Sequence, residues 1–373
     1  MKTILMIYCL LFVSSLYICR SQTAEDYIND AVKKKNYGDR KEALIQLHQA
    51  LDIDSQACIG YFYIGQIRYE LGDYSGALHD YTAALRCDSL SAWTYNSRGM
   101  VQSVLRNKQG AMSDFTKAIS LDSLYASPYN NRGLLYADLG NYSAAISDYT
   151  KAIALDSLSE IAYTNRGFAK YTLGDSLGAI ADYAQALNAN PKCVMAYNYR
   201  GIIYADAGNY GAAIREYSRA LEIDPKSSIV NYNRGVAKSQ AGDYNGAIPD
   251  FSNAVSLNHH YVEALTNLCL AKYATGDTEG AISDCDSAIQ INPTFTEAYY
   301  NRASIALDQS DNSIAMINFD IVIKLDPKHS KAYFNRGICK LKTGNVKGAC
   351  SDWRKAEKYG YEEAKQALRQ YCK

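Results

Sequence analysis

The chain has 373 residues, 39 Lys+Arg against 39 Asp+Glu, 48% hydrophobic residues and 33 Tyr against 8 Phe. Its aliphatic content and 21% charge exclude a disordered chain, and zero net charge gives no electrostatic drive toward nucleic acid. At ordinary domain sizes the length predicts two or three globular domains, unless a repeat removes that limit.

Residues 1–21 read as a signal peptide. Lys2 precedes an apolar run from Ile4 to Val13, too short to span a bilayer, and the small Ser21 follows. Cleavage after Ser21 leaves Gln22 first and the mature chain near −2. The rival reading is lipidation of Cys19, the only route to a membrane that this sequence offers, but Ile18 precedes it where such sites carry a small residue. The chain is therefore expected to be exported: periplasmic, outer-membrane-associated or secreted.

From Ala24 onward a 34-residue period governs the sequence. Counting Ala24 as position 1, position 20 is Ala in all ten repeats, from Ala43 to Ala349, and position 27 is Ala in nine, with Val322 the exception. Position 8 is Gly in seven repeats, and position 24 is a large ring in eight. Positions 4, 8 and 11 fall one turn apart on a first helix, and 20, 24 and 27 on a second. A Gly at position 15, present from Gly38 to Gly344 except in two repeats, ends the first helix. The tiny residue at 8 is expected to face Ala at 20, with the ring at 24 filling the space beside the crossing.

The first repeat is the most divergent, with Ala31 and Leu47 in place of Gly and ring, and repeat three carries Arg106 where Gly is usual. Repeat four, "SPYNNRGLLYADLGNYSAAISDYTKAIALDS" from Ser127, is similar throughout to the consensus of the tetratricopeptide repeat (TPR) family. The resemblance covers residues 24–363 as ten repeats. It implies an all-α fold, a right-handed superhelical solenoid of about ten antiparallel helix pairs with a concave groove. Residues 364–373, with Ala364, Leu368 and Cys372 on one face, are expected to form a C-terminal capping helix.

Gly174-Asp175-Ser176-Leu177-Gly178 in repeat five matches a nucleophile-elbow pattern, but it falls in an inter-helix turn rather than between a strand and a helix. His48, His79, His259, His260 and His329 form no metal-ligand spacing, and no phosphate-cradling glycine loop is present. No catalytic residue, metal site or cofactor is expected. Position 7 is Arg in seven repeats and position 23 Asp or Glu in eight. Arg–acid ion pairs are favoured over an anion-binding ladder, and pairing within a repeat or to the next one fits equally well.

The resemblance implies that positions 2, 5, 6, 9, 12 and 13 of the first helix line the groove. Candidate partner-binding residues are Asn131, Asn165, Asn233, Asn267, Asn301 and Asn335 at position 6. Beside them lie Asn130, Thr164, Asn198, Tyr232, Tyr300 and Phe334 at position 5, with Tyr171 and Tyr273 at position 12. Amides donate and accept, so a row of them can hold a peptide backbone, and rings beside them suit a polypeptide or a sugar. Lys331 is the lone Lys at positions 2 and 5, which disfavours the carboxylate-clamp mode of chaperone-tail binders in the family. The expected function is a non-catalytic scaffold for a protein or peptide ligand. A glycan-binding accessory protein and a structural spacer in an envelope assembly are the alternatives.

Eight cysteines follow the leader, and antiparallel helices place residues opposite when their repeat positions sum to about 30. Cys58–Cys87 and Cys269–Cys285 meet that test. Cys350 is expected to reach Cys372, with Cys339 a competitor. Asp-Ser-Leu recurs at residues 88–90, 122–124 and 156–158, similar to O-glycosylation sites of some exported bacterial proteins, though turn preference alone accounts for it.

Overall fold

The computed structural model describes residues 22–372. The leader and Cys19 lie outside them. Among the described residues there are 21 helices and no strand. The described residues divide into two compact units, 22–175 and 176–372, between the two helices of repeat five.

The first unit contains α1 (Ala24–Asn36), α2 (Arg40–Ile53), α3 (Cys58–Glu70), α4 (Tyr74–Cys87), α5 (Ala92–Val104), α6 (Lys108–Leu121), α7 (Ala126–Asp138), α8 (Tyr142–Leu155) and α9 (Glu160–Thr172). The second contains α10 (Ser176–Ala189), α11 (Val194–Asp206), α12 (Tyr210–Ile223), α13 (Ser228–Gln240), α14 (Tyr244–Leu257) and α15 (Val262–Ala274). It continues through α16 (Thr278–Ile291), α17 (Thr296–Asp308), α18 (Asn312–Leu325), α19 (Ser330–Lys342), α20 (Val346–Lys358) and α21 (Glu363–Tyr371). Within each unit every helix packs on its chain neighbour, and first helices also touch the first helix of the next repeat. The last helix buries Ala364 against Trp353 and Ala356.

Two local devices make the turns. The residue at position 15 takes a left-handed conformation, as at Gly72 with φ +80°, and the following backbone closes onto the helix end, Asp73 N–H donating to Arg68 O at 2.9 Å. Asp or Asn at position 16 then caps the second helix, as Asp73 Oδ1 accepts from Gly76 N–H at 2.9 Å. Arg106 and Ser310 occupy the glycine position with φ of 62° and 64°. The Asp-Ser-Leu junctions are side-chain turns: Asp88 and Asp122 each accept from the backbone N–H of the Leu two residues on, at 2.9 Å.

The core departs from the expected contact in one respect. All ten alanines at position 20 are fully buried, but the glycine at position 8 faces the ring at 24. A Cβ built on Gly133 would lie 2.7 Å from the Tyr149 ring, and one on Gly201 2.5 Å from Tyr217. The pair at 8 and 24 is thus one volume shared between two side chains. Repeat one divides it as Ala31 and Leu47, repeat nine as Ala303 and Phe319. Repeat eight fills it with the Cys269–Cys285 disulfide, Cα atoms 5.7 Å apart and both residues fully buried. Cys58–Cys87 and Cys350–Cys372 are also bonded in the structure, with Cα separations of 5.5 and 5.7 Å. Cys339 is a buried thiol, and burial pushes its pKa up to about 11.

The Arg ladder takes the within-repeat register. Arg98 holds Asp114, and Arg132 holds Asp148, each through two hydrogen bonds of 2.8 Å; Arg200–Glu216, Arg234–Asp250 and Arg336–Asp352 repeat the pairing. The Asp148 hydrogen bonds raise the Arg132 pKa above its usual value. The remaining guanidinium nitrogen reaches back one repeat to position 25, as Arg132 donates to Thr116 at 3.3 Å and Arg336 pairs with Asp320. These arginines are committed to the scaffold.

Candidate functional site

In the first unit the first helices α1, α3, α5, α7 and α9 present positions 2, 5, 6, 9, 12 and 13 to one cavity of about 790 Å³. Val32 and Lys35 come from α1, Phe62, Gln66, Tyr69 and Glu70 from α3, Trp93, Asn96 and Met100 from α5, Asn130 and Asn131 from α7, and Ile161 from α9. The face assigned by family resemblance is therefore concave here, and it includes two predicted site residues, Asn130 and Asn131.

Hydrogen bonds between and within repeats fix the floor of this cavity. Asn131 Nδ2 donates to Asn96 Oδ1 at 3.0 Å, Asn96 Nδ2 donates to Tyr125 Oη at 3.3 Å, and Asn165 Nδ2 donates to Asn130 Oδ1 at 3.1 Å. Position 6 thus bonds position 5 of the preceding repeat. Each such amide spends one N–H on its neighbour, and Asn96 is buried, so the row is first a set of rungs between repeats. Thr164 is buried with its hydroxyl donating to Glu160 O, and Tyr171 is half-buried.

Three of the predicted amides of the second unit follow the same rule. Asn233 donates to Asn198 at 3.0 Å, and Asn267 and Asn335 donate to the phenol oxygens of Tyr232 and Tyr300 at 3.2 Å each. Asn301 is buried. Tyr273 donates to Asp308 at 2.8 Å across the repeat boundary. Tyr232, Tyr300 and Phe334 each sit between two aromatic neighbours: Phe251 and Tyr261, Phe319 and His329, Trp353 and Tyr361 respectively. Burial raises the pKa of Tyr232 and Tyr300, and that of Tyr261 to about 12. These rings pack the repeats together, so substituting them would test stability as much as binding.

Apolar residues stay exposed on the face that lines this cavity, as Met195 and Ile229 do at position 2 in the second unit. Trp93 at position 2 is 63% exposed and Ile161, also at position 2, is 56% exposed, although both line the cavity. Leu134 at position 9 is 44% exposed and lines a smaller recess of about 350 Å³ that shares Met100, Tyr69 and Asn131 with the first. A search led by Asn at positions 5 and 6 misses Phe62, Tyr69, Trp93, Met100 and Ile161. Their signal in the sequence is the same set of groove positions in repeats two, three and five, which carry rings and aliphatics.

Profiles described as tetratricopeptide repeat match residues 126–157, 164–228 and 232–294. No curated protein matches the chain. Among solved structures, a tetratricopeptide repeat protein from Parabacteroides merdae is 22% identical with a TM-score of 0.51, covering 65% of this chain and 97% of that one. The C-terminal part of a TPR repeat-containing protein from Cytophaga hutchinsonii is 18% identical with a TM-score of 0.52, covering 64% and 97%. These likenesses concern the fold. With the 34-residue period, the paired helices and the repeat-profile matches, they identify the chain as a member of the tetratricopeptide repeat family.

Proposed function

We propose that the protein is a non-catalytic binding scaffold that holds a protein or peptide partner on the first-helix face of its first unit. The observation that carries this reading is the cavity over α1, α3, α5, α7 and α9, where Trp93 and Ile161 remain more than half exposed above a hydrogen-bonded amide floor. A partner that buries them gains about 1.5–3 kcal/mol per large apolar side chain, while the fixed rungs limit the ordering that association costs. The fold supports protein–protein interaction as its general use.

Export belongs to the same proposal. It is supported by the apolar leader and by three cysteine pairs placed for cross-linking, which persist in oxidising compartments.

Quantitative affinity capture from native envelope and secreted fractions tests the binding reading. The wild type is compared with a Trp93→Ser/Met100→Ser/Ile161→Ser variant and with an Ile314→Ser/Ile317→Ser control on the second-helix face of α18. A protein retained by wild type and control but lost from the cavity variant is the expected outcome. Equal capture by all three refutes the assigned face and favours a spacer acting through another surface. Loss of oligosaccharide binding in place of protein binding moves the glycan alternative forward.

A further inference from the structure

The chemistry of the cavity narrows the partner, and this inference rests on the binding reading above. We propose that the first-unit cavity takes an extended polypeptide segment anchored by a large apolar side chain against Trp93 and Ile161, and not one held by an acidic residue or a terminal carboxylate.

Charge supplies the first argument. Apart from tyrosines, the ionisable side chains lining the cavity are Lys35, Glu70 and Asp156. Lys35 is committed to Glu70 at 3.4 Å, and Arg40 pairs with the same carboxylate at 2.9 Å. Burial works to raise the Glu70 carboxyl, but the hydrogen bonds and charges of Arg40 and Lys35 hold its pKa below the usual range. An acidic ligand group would have to break that pair and would face Asp156, whose side chain, among the described residues, accepts only a backbone N–H, that of Leu158 at 3.1 Å. The lining carries one negative charge in excess, which complements a segment with neutral or basic flanks.

Apolar shape supplies the second argument. The Trp93 indole lies 6.1 Å from the Tyr125 ring, and Tyr125 is held in place by Asn96. One face of the pair is thus fixed while the indole itself stays exposed. Such an aromatic step, rimmed by Ile161 and Met100, fits an apolar anchor in the manner of an interface hot spot.

The floor supplies the third argument. Asn130 lines the cavity and accepts from Asn165 through its oxygen, and its Nδ2 makes no hydrogen bond among the described residues. An amide donor beside an apolar anchor point matches the carbonyl of an extended main chain, which is present whatever the flanking sequence.

The test is selection from a displayed library of short random peptides on the chain from residue 22. Synthetic consensus peptides are then titrated against wild type, Trp93→Ala, Ile161→Ser and the Ile317→Ser control, all checked for helix content. The expected consensus carries Phe, Leu, Ile, Met or Trp without required acids, and Trp93→Ala binds it at least tenfold more weakly than wild type and control. Ile161→Ser, on another helix, gives the same reading should Trp93→Ala fail to fold. A consensus defined by Asp, Glu or a free carboxylate, or affinity unchanged by both variants, overturns the anchor and leaves the scaffold reading standing. Absence of any selected peptide, with no partner captured from native fractions, overturns both.

Discussion

Replacing Gly201 by Ala tests the shared-volume account of the repeat core. By helix propensity alone, Ala in a helix interior is about 1 kcal/mol better than Gly, so a local argument predicts a more stable protein. The packing argument predicts the opposite. A Cβ at 201 would meet three atoms of the Tyr217 ring at 2.5, 2.8 and 2.9 Å, and that ring is only 2% exposed and cannot retreat into solvent. Overpacking of a tight core costs about 1–3 kcal/mol, and three contacts under 3.0 Å place this site at the upper end. The net expectation is a loss of about 2 kcal/mol. Gly65→Ala, whose Cβ would sit 3.0 Å from Tyr81, is expected to be near neutral. Denaturant unfolding followed by circular dichroism, with hydrogen exchange over α11 and α12, measures both. Adding Tyr217→Leu to Gly201→Ala recreates the Ala–Leu pair of repeat one, and the cycle should show favourable coupling of about 1 kcal/mol or more. A Gly201→Ala protein more stable than wild type would refute the reasoning.

The other predictions follow from the same structure. Cys269→Gly with Cys285→Tyr restores the Gly–ring pair, so reduction should cost this variant about 3 kcal/mol less than wild type, the loop constraint of a bridge spanning 16 residues; an unchanged response to reductant in unfolding experiments would contradict this. Arg106→Gly and Ser310→Gly should each stabilise by about 1 kcal/mol, because both hold left-handed backbone where a Cβ is strained. A lowered melting temperature in either would count against it. Iodoacetamide at pH 8 should leave Cys339 unmodified in the folded protein and label it in denaturant, since burial raises its pKa to about 11; peptide mass spectrometry reads the difference.

Much of the fold was legible because a helical hairpin repeated ten times writes each contact ten times. Ala at position 20 and Gly at 15 mark the crossing and the turn without any knowledge of the partner. What stayed hidden depended on which neighbour a side chain reaches. Counting could not choose between Arg–acid pairing within a repeat and pairing across repeats, whereas the structure pairs Arg132 with the acid of its own repeat, Asp148, and gives it only the Thr116 hydroxyl across the boundary. The Asn row looked like a surface for a partner because Asn131 and Asn96 lie 35 residues apart, and only the stacking of α5 and α7 brings them to 3.0 Å. The candidate cavity was missed for a related reason. A regular residue such as Asn draws attention, while Trp93 and Ile161 share position 2 but no residue type, and their exposure is visible only once the helices are packed.

The most direct test of the central claim uses the protein's own tryptophans. There are two: Trp93, exposed in the cavity, and Trp353, 1% exposed in the second unit. Trp353→Phe, a ring that position 24 already carries at Phe115, leaves Trp93 as the sole reporter. If the cavity is the binding face, adding the captured partner or a selected peptide to this variant should shift Trp93 emission to shorter wavelength and protect it from a soluble quencher, in step with binding measured independently. Binding at full strength with Trp93 emission and quenching unchanged would show that the partner docks elsewhere.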